Sequence, residues 1–310
     1  MSDRQAQPLQ RDGTAVKKER LYRLLFAGCA ALTLFVTVGI ILALITRTIS
    51  FFTEVSIFAY LTGTTWSPKI EGLFGVLPLI SGTLIITAIS ALIALPVGLA
   101  IAIYLSEYAS RRVRAILKPT LEILAAVPTV VYGYFALVHL TPVLDKYTPL
   151  DLGTFNALSG GIVVGLIIIP MVSSISEDAI SSVPDSLRNA AYGLGSTKFD
   201  VSTKVVVPAA TSGIVSSYVL ALSRAIGETM AVTIAAGLSP KMPYFPGVLN
   251  NLENSVQTIT AAMVKIAGAE SRSGVLLDSM FALGMTLFVL TLLMNIGAEA
   301  VRRQFREEYN

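Results

Sequence analysis

The chain has 310 residues, of which 54% are hydrophobic and 14% are charged, and its net charge is +3. Soluble domains carry about 25% charged residues, so this balance excludes an ordinary soluble protein and predicts a polytopic membrane protein. The single cysteine, Cys29, excludes a disulfide within the chain, and the single histidine, His139, excludes a metal site built from several histidines.

The N-terminal segment combines a polar tail with a long apolar run. Residues 1–23 are predicted to be a cytoplasmic tail, with disorder over residues 1–20, because they are polar and lack apolar periodicity. The apolar run that follows is longer than the apolar region of a secretory signal peptide, and no small-residue cleavage site comes after it. It is therefore predicted to be a retained membrane anchor.

Six apolar runs are long enough to cross a bilayer as helices, which takes about 20 residues each. They cover residues 24–45, 72–106, 123–144, 152–176, 205–240 and 279–298. Most Lys and Arg residues fall in the N-terminal tail, the turn after the second run, the loop after the fourth run and a C-terminal tail, residues 301–310. The positive-inside rule places these segments, and hence both termini, in the cytoplasm. The predicted fold class is all-α, with six transmembrane helices.

The third run contains Pro128, which kinks a helix and frees backbone carbonyl groups. Thr129 and Tyr132 follow it and can donate hydrogen bonds, so they are candidates for lining a transport path. Ordinary kinking without a role in transport is the alternative.

Polar residues at the cytoplasmic end of the fourth run are interpreted as a helix cap and solvated charges rather than catalytic groups. They are Ser173, Ser174, Glu177 and Asp178. The chain shows neither a nucleophile paired with a base nor a metal-ligand cluster, which argues against an intramembrane enzyme.

The cytoplasmic loop at residues 184–208 has the most specific pattern in the chain. Small residues, then a glycine, then an apolar stretch closed by proline predict a short helix, a tight turn and a second short helix. The residues that define this pattern are Asn189, Ala190, Ala191, Gly195 and Pro208. Such a helical elbow is suited to transmit motion from a partner protein, and the alternative is an ordinary loop between spans.

The fifth run carries Arg224 and Glu228 near its middle, followed by Thr229. A charged side chain near the bilayer centre costs about 2.5–3.5 kcal/mol, so it is by default a hypothesis of function. The spacing of four residues predicts that both charges lie on one helix face and offset each other. This pattern indicates a path for an anion, and the alternative is a structural ion pair that fixes helix packing.

A stripe of apolar residues follows in the next external loop. Its members are Leu252, Val256, Ile259, Met263 and Ile266. Their alternating steps of four and three predict one amphipathic helix that packs on neighbouring spans. A position at the membrane surface, or as a plug of the external mouth, is the alternative.

The elbow resembles the "EAA" coupling loop of importer-type ABC permeases, which reads E-A-A-x3-G-x9-I-x-L-P. This chain matches the spacing at every step, but Asn189 replaces the glutamate and Val205 and Val207 replace the two apolar residues before the proline.

Other segments are similar to the phosphate-specific permeases of that superfamily. They are Ser81-Gly82-Thr83-Leu84, Leu105-Ser106-Glu107-Tyr108-Ala109, Val127-Pro128-Thr129-Val130-Val131-Tyr132-Gly133 and Arg224-Ala225-Ile226-Gly227-Glu228-Thr229-Met230-Ala231-Val232. The last three residues of this set are similar to the C subunit rather than the A subunit.

The resemblance covers about residues 20–305 and implies the fold, the partners and the location. It implies an importer-type ABC permease bundle with a permease domain at residues 24–300, a core at about 77–300 and the coupling loop at 184–208. The implied partners are a homologous permease A subunit, a dimer of ATP-binding subunits, an extracytoplasmic phosphate-binding protein and membrane lipid, with no nucleic acid. The implied location is the cytoplasmic (inner) membrane of a bacterium or archaeon, crossed several times.

The implied function is that of the membrane permease subunit of an ATP-driven, high-affinity phosphate importer. The chain has no Gly-x4-Gly-Lys-Ser/Thr sequence, so ATP is expected on a partner and neither a cofactor nor an enzymatic activity is expected here. The residues expected along the substrate path are Arg224, Glu228, Thr229, Thr129 and Tyr132. Import of another oxyanion, sulfate or molybdate, is an alternative, and a proton-coupled secondary anion transporter is a further one.

Overall fold

The structure is a computed structural model that describes residues 13–244, 247–268 and 274–304. Four of the described helices are long and apolar enough to cross a membrane. They are Glu19–Glu54, Leu77–Tyr108, Ala157–Ser181 and Val275–Ala300. Two bent helix pairs, with bends of 87° and 69°, raise the number of spans to six if each pair crosses as one unit.

The first half of the described chain consists of helices and one short β-hairpin. Its elements are α1 (Gly13–Glu54), α2 (Ile57–Thr62), β1 (Trp66–Ser67), β2 (Leu73–Phe74), α3 (Leu77–Ile103), α4 (Arg111–Ala126), α5 (Thr129–Phe135) and α6 (Thr141–Tyr147). β1 and β2 are antiparallel, with Trp66 opposite Phe74. Single π-helical turns extend α3 over Tyr104–Tyr108 and join α5 to α6 over Ala136–Leu140.

The second half contains the elbow and the second bent pair. Its elements are α7 (Ala157–Ser181), α8 (Asp185–Gly193), α9 (Lys198–Val201), α10 (Val207–Ala209), α11 (Thr211–Gly227), α12 (Met230–Ala235), α13 (Val248–Glu253), α14 (Ile259–Ala267) and α15 (Val275–Gln304). A π-helical turn, Ser202–Val206, joins α9 to α10.

The centre of the bundle is the contact between α3 and α7, onto which α11 also packs. The core cluster here includes Ile86, Ala94, Val164, Ile168 and Val172. Gly98 faces Val172 so closely that an added Cβ would lie 2.6 Å from the valine Cβ. Small residues let two membrane helices approach to this distance and gain van der Waals contact, so α3 and α7 form a tightly packed frame.

The first helix differs from the predicted tail and anchor. α1 begins at Gly13, so residues 13–23 are helical rather than part of a disordered tail, and the predicted disorder of residues 1–12 lies outside the described residues. None of its most apolar 18-residue window is buried, and Phe35, for example, is 77% exposed. An apolar surface of this size requires lipid or a partner around it.

The third and fifth predicted spans are not continuous helices. α4 ends at Ala126, and Pro128 stands in an extended conformation immediately before α5, so the run at 123–144 turns through a sharp bend. The run at 205–240 is divided at Ala210 and again between Gly227 and Met230. Proline fixes its own φ and disfavours helix at the preceding residue, which accounts for the first break.

The apolar stripe after Leu252 forms two helices, so the prediction of one amphipathic helix was wrong. An extended segment, residues 254–258, separates α13 from α14 and enters the bundle. The amide of Val256 donates to the carbonyl of Ala236 at 3.1 Å, and the amide of Ile259 donates to the hydroxyl of Thr83 at 3.1 Å. The interpretation that this loop packs on neighbouring spans is confirmed, because Val256 and Ile259 are buried.

Candidate anion path and coupling elbow

Arg224 lies in the last turn of α11, and its side chain reaches a cavity of about 320 Å³ between α4, α7 and α11. The other lining residues are Leu105, Lys118, Leu121, Glu122, Ala125, Ile167, Pro170, Met171, Ser174, Ile175 and Glu177. Arg224 is exposed, and the ion pairs of the described residues do not include it. Arg224 therefore lines a largely apolar cavity, and no carboxylate of the described residues forms an ion pair with it.

Glu228 does not share a helix face with Arg224, so that prediction was wrong. α11 ends at Gly227, and Glu228 has an extended backbone (φ −65°, ψ 134°), which removes the periodicity that the spacing of four presumed. The Glu228 carboxylate accepts a hydrogen bond from the amide of Ala231 at 3.4 Å, and its carbonyl accepts one from the Thr260 hydroxyl at 2.8 Å. Glu228 thus caps the first turn of α12 and ties the break to α14.

Thr129 and Tyr132 lie on α5, and Thr229 immediately precedes α12, which packs against α5. Gly133 makes this contact possible, because an added Cβ would lie 3.0 Å from Ala231 Cα. The Tyr132 hydroxyl donates to the carbonyl of Leu124 at 2.8 Å, so it spans the bend between α4 and α5. These three residues and Glu228 do not line the Arg224 cavity in the described part of the chain.

The described residues include an ion cluster that the sequence interpretation missed. Glu177 is fully buried, and its two carboxylate oxygens accept from Arg114 and, at 2.7 Å, from Lys118 on α4. Asp178 beside it is a solvated charge as predicted, with 67% of its side chain exposed, but Glu177 is not. Glu177 lies four residues after Ser173 and seven after Pro170, a helical spacing that places all three on one face of α7, and the structure buries all three.

The predicted elbow is present as a short helix, a turn and a second short helix. α8 ends at Gly193, and Gly195 adopts φ +83°, a left-handed conformation that favours glycine. The Thr197 hydroxyl accepts from the amide of Asp200 at 3.2 Å and begins α9. Hydrogen bonds from Lys204 and Thr197 hold the pKa of the Asp200 carboxyl below its ordinary value.

The motif residues of the elbow divide between two faces. Asn189, Ala190 and Pro208 are exposed, whereas Ala191 is buried against the bundle. The elbow also carries three exposed apolar side chains: Leu194 is 88% exposed, Phe199 66% and Tyr192 42%. An exposed apolar patch on a helical elbow is the kind of surface that a partner protein covers.

Residues 94–307 match the family described as "Binding-protein-dependent transport system inner membrane component". The chain belongs to this family, the transmembrane permeases of ABC importers.

Two curated relatives indicate the branch of this family that the chain resembles. It is 34% identical to the phosphate transport system permease protein PstC of Mesorhizobium japonicum over 255 residues, 76% of each chain. It is also 33% identical to the probable ABC transporter permease protein YqgH of Bacillus subtilis over 274 residues, 87% of this chain and 86% of the relative. The predicted resemblance to the C-subunit branch is confirmed.

Solved structures confirm the importer permease fold. A permease of a bacterial ABC transporter that imports alginate superposes with a TM-score of 0.64 at 15% identity, covering 94% of this chain and 99% of that one. A chain of the MetNI methionine transporter superposes with a TM-score of 0.55 at 16% identity, covering 78% of this chain and 100% of that one. At these identities the similarity concerns the fold alone.

Proposed function

We propose that this chain is the C-type permease subunit of an ATP-driven phosphate importer and forms the translocation path with a homologous permease. The similarity to PstC proteins supports phosphate as the cargo. The observation that carries the proposal is the position of Arg224, which lines a cavity between α4, α7 and α11 and forms no ion pair with a carboxylate of the described residues.

The chemistry of Arg224 suits an oxyanion in transit. A guanidinium is planar, stays charged, and donates two parallel hydrogen bonds to phosphate oxygens. Lys118, a second cation of the cavity, is bound by Glu177, so Arg224 is the cation that an arriving anion meets. The apolar walls strengthen the attraction, because the local dielectric is lower than that of water.

Glu228 and Thr229 serve the path in a different way from Arg224. Glu228 caps α12 and holds the break between α11 and α12, which leaves Arg224 at the end of a helix that can move separately from α12. Tyr132 holds the bend at which α5 begins with Thr129, next to α12, and a change in the angle between α4 and α5 would widen or narrow the path.

The partners follow from the family and from the elbow. ATP is hydrolysed on a dimer of separate ATP-binding subunits, which dock on the outer face of the elbow around Leu194 and Phe199. A phosphate-binding protein delivers phosphate on the opposite side, as a periplasmic protein bound to alginate accompanies the alginate transporter. Closure of the ATPase dimer pulls the elbow at residues 184–208, the bundle opens outward, and phosphate moves along Arg224.

Uptake of labelled phosphate tests the proposal in cells that lack their own high-affinity system and express this chain with its partner subunits. Arg224→Gln is expected to abolish uptake while the complex still assembles, because the variant loses the charge and not a structural contact. The matched control is Arg112→Gln, which removes an exposed arginine of α4. Near-normal uptake in Arg224→Gln would contradict the role of this residue.

Competitors and partner variants separate the alternatives. Uptake that resists an excess of sulfate and molybdate supports phosphate, whereas inhibition by either anion would assign a different oxyanion to the same machine. Uptake that continues after inactivation of the ATP-binding subunit would indicate a proton-coupled secondary transporter instead.

A further inference from the structure

Arg188, the residue before Asn189 in the elbow motif, points into the bundle rather than toward a partner. Its Nη2 donates to Glu107 Oε1 at 3.1 Å, and its Nε donates to the same oxygen at 3.3 Å. Glu107 lies in the π-helical turn at the end of α3. Only 14% of the Arg188 side chain and 6% of the Glu107 side chain are exposed, so this ion pair is largely shielded from water.

The same guanidinium also binds the end of α7. Nη2 donates to the carbonyl of Ile180 at 2.8 Å, and Nη1 donates to the carbonyl of Val183. The last carbonyls of a helix have no partner within the helix, and a cation placed there satisfies them and the helix dipole. A single side chain therefore connects three elements: the elbow, the end of α3 and the end of α7.

This connection differs from the other attachments of the elbow. Asp200 and Lys204 form an ion pair at 2.7 Å, but both lie within the elbow, and 74% of the Lys204 side chain is exposed. An apolar cluster that includes Ala191, Val201 and Ile214 also holds the elbow against the bundle. Apolar contacts are not directional and permit sliding, whereas a shielded, multiply bonded ion pair fixes one register and one orientation.

The Arg188 contacts fix the position of the elbow relative to α3 and α7. These two helices form the frame of the bundle, and α7 supplies one wall of the Arg224 cavity. A displacement of the elbow that is transmitted through Arg188 therefore reaches the cavity wall by way of one continuous helix.

We infer that Arg188 and Glu107 form the joint through which the elbow moves α3 and α7, and that this pair sets how much anion is transported for each ATP hydrolysed. The inference rests on the proposed function. Both are positioning residues, because they act on the path through α3 and α7 and do not contact the transported anion. Asn189, which lacks the carboxylate of the motif, contributes no charge to the joint.

The test uses the complete complex, with the partner permease, the ATP-binding dimer and the binding protein, reconstituted in liposomes. The readout is the ratio of phosphate transported to ATP hydrolysed, which is insensitive to the amount of folded complex. Glu107→Gln keeps the shape and an acceptor oxygen but removes the charge, and it is expected to lower this ratio about threefold or more. Asp200→Asn, which removes the exposed ion pair within the elbow, is the matched control and is expected to leave the ratio unchanged.

The outcomes distinguish this inference from the proposed function. A wild-type complex that hydrolyses ATP but transports no phosphate contradicts the function, whatever the variants do. A wild-type complex that transports phosphate, with the same ratio in Glu107→Gln, overturns the joint. If Glu107→Gln prevents assembly, Arg188→Lys replaces it, because lysine retains the charge but loses the forked geometry, and an unchanged ratio in that variant also overturns the joint.

Discussion

The Glu177 cluster adjoins the Arg224 cavity, and the two differ in whether the charged side chain has an ion-pair partner. Glu177 is fully buried and is bound by two cations from α4, whereas Arg224, across the same cavity, is bound by no carboxylate of the described residues. A satisfied charge fixes helices, and an unsatisfied one is available to a ligand. The ion pairs of Glu177 hold α4 against α7, and under the proposed function the unpaired charge of Arg224 serves transport.

The largest expected effect on stability comes from removing the two cations that bind Glu177. The double variant Arg114→Met and Lys118→Met strands a buried carboxylate, which we expect to cost about 3–5 kcal/mol of stability. Thermal unfolding of the purified complex measures it. Adding Glu177→Gln to the double variant removes the stranded charge and is expected to recover most of the loss. No recovery in the triple variant would show that α4 loses its packing rather than its charge balance.

A smaller effect on stability is expected at Gly195, where the backbone conformation rather than a charge restricts the residue. Gly195→Ala places a side chain at φ +83° in the elbow, which costs about 1–3 kcal/mol. ATP-driven uptake should fall because the turn between α8 and α9 is distorted. The control is Gly193→Ala, since an added Cβ meets nothing within 4 Å at either glycine and only the backbone conformation differs. Equal uptake in both variants would contradict the predicted role of the turn.

Glu228→Gln is expected to have a modest effect, because glutamine retains the oxygen that accepts from the Ala231 amide. We expect a loss of stability below about 1 kcal/mol and partial retention of uptake. Glu228→Ala removes the acceptor and should reduce both more strongly. Suppose instead that Glu228→Gln abolishes uptake and that Glu228→Ala is no less stable than Glu228→Gln. The capping role would then not explain the loss of uptake, and the carboxylate charge would act in the path itself.

The smallest effect on stability is expected at Arg224. Arg224→Gln removes an exposed side chain that no described carboxylate binds, so stability should stay within about 0.5 kcal/mol of the wild type. Thermal unfolding, run beside the uptake assay, measures it. A loss comparable to that of the Glu177 cluster would make Arg224 a structural residue, with the same role as the charges of that cluster.

The sequence predicted the positions of the membrane spans and of the elbow better than the contacts between their side chains. The apolar runs, the elbow and the family resemblance were readable because apolar length and turn residues act locally. The pairing of Arg224 with Glu228 was not, because it presumed a helix that in fact ends at Gly227. A break of this kind depends in part on the Thr260 hydroxyl of α14, which donates to the Glu228 carbonyl and is separated from it by 32 positions in the chain.

Glu177 illustrates a second limit. Nothing within the fourth run identifies its partners, since Arg114 and Lys118 belong to a separate helix, α4, that packs against α7 only in the folded bundle. The same holds for Glu107 and Arg188, which are distant in sequence and meet where two helices end. Charges that look solvated in a sequence acquire partners from tertiary structure, which residue spacing alone does not record.

The lack of burial along the first half of α1 has a consequence for how the protein is made. Because none of its most apolar window is buried in the bundle, this part of the helix does not depend on a folded neighbour and can enter the bilayer while the ribosome is still synthesising the remaining helices. Its flanking Lys and Arg residues then decide its direction before the bundle exists. The orientation of each later helix follows from that of the first, so reversing the charges around α1 would favour the opposite orientation of the whole bundle across the membrane.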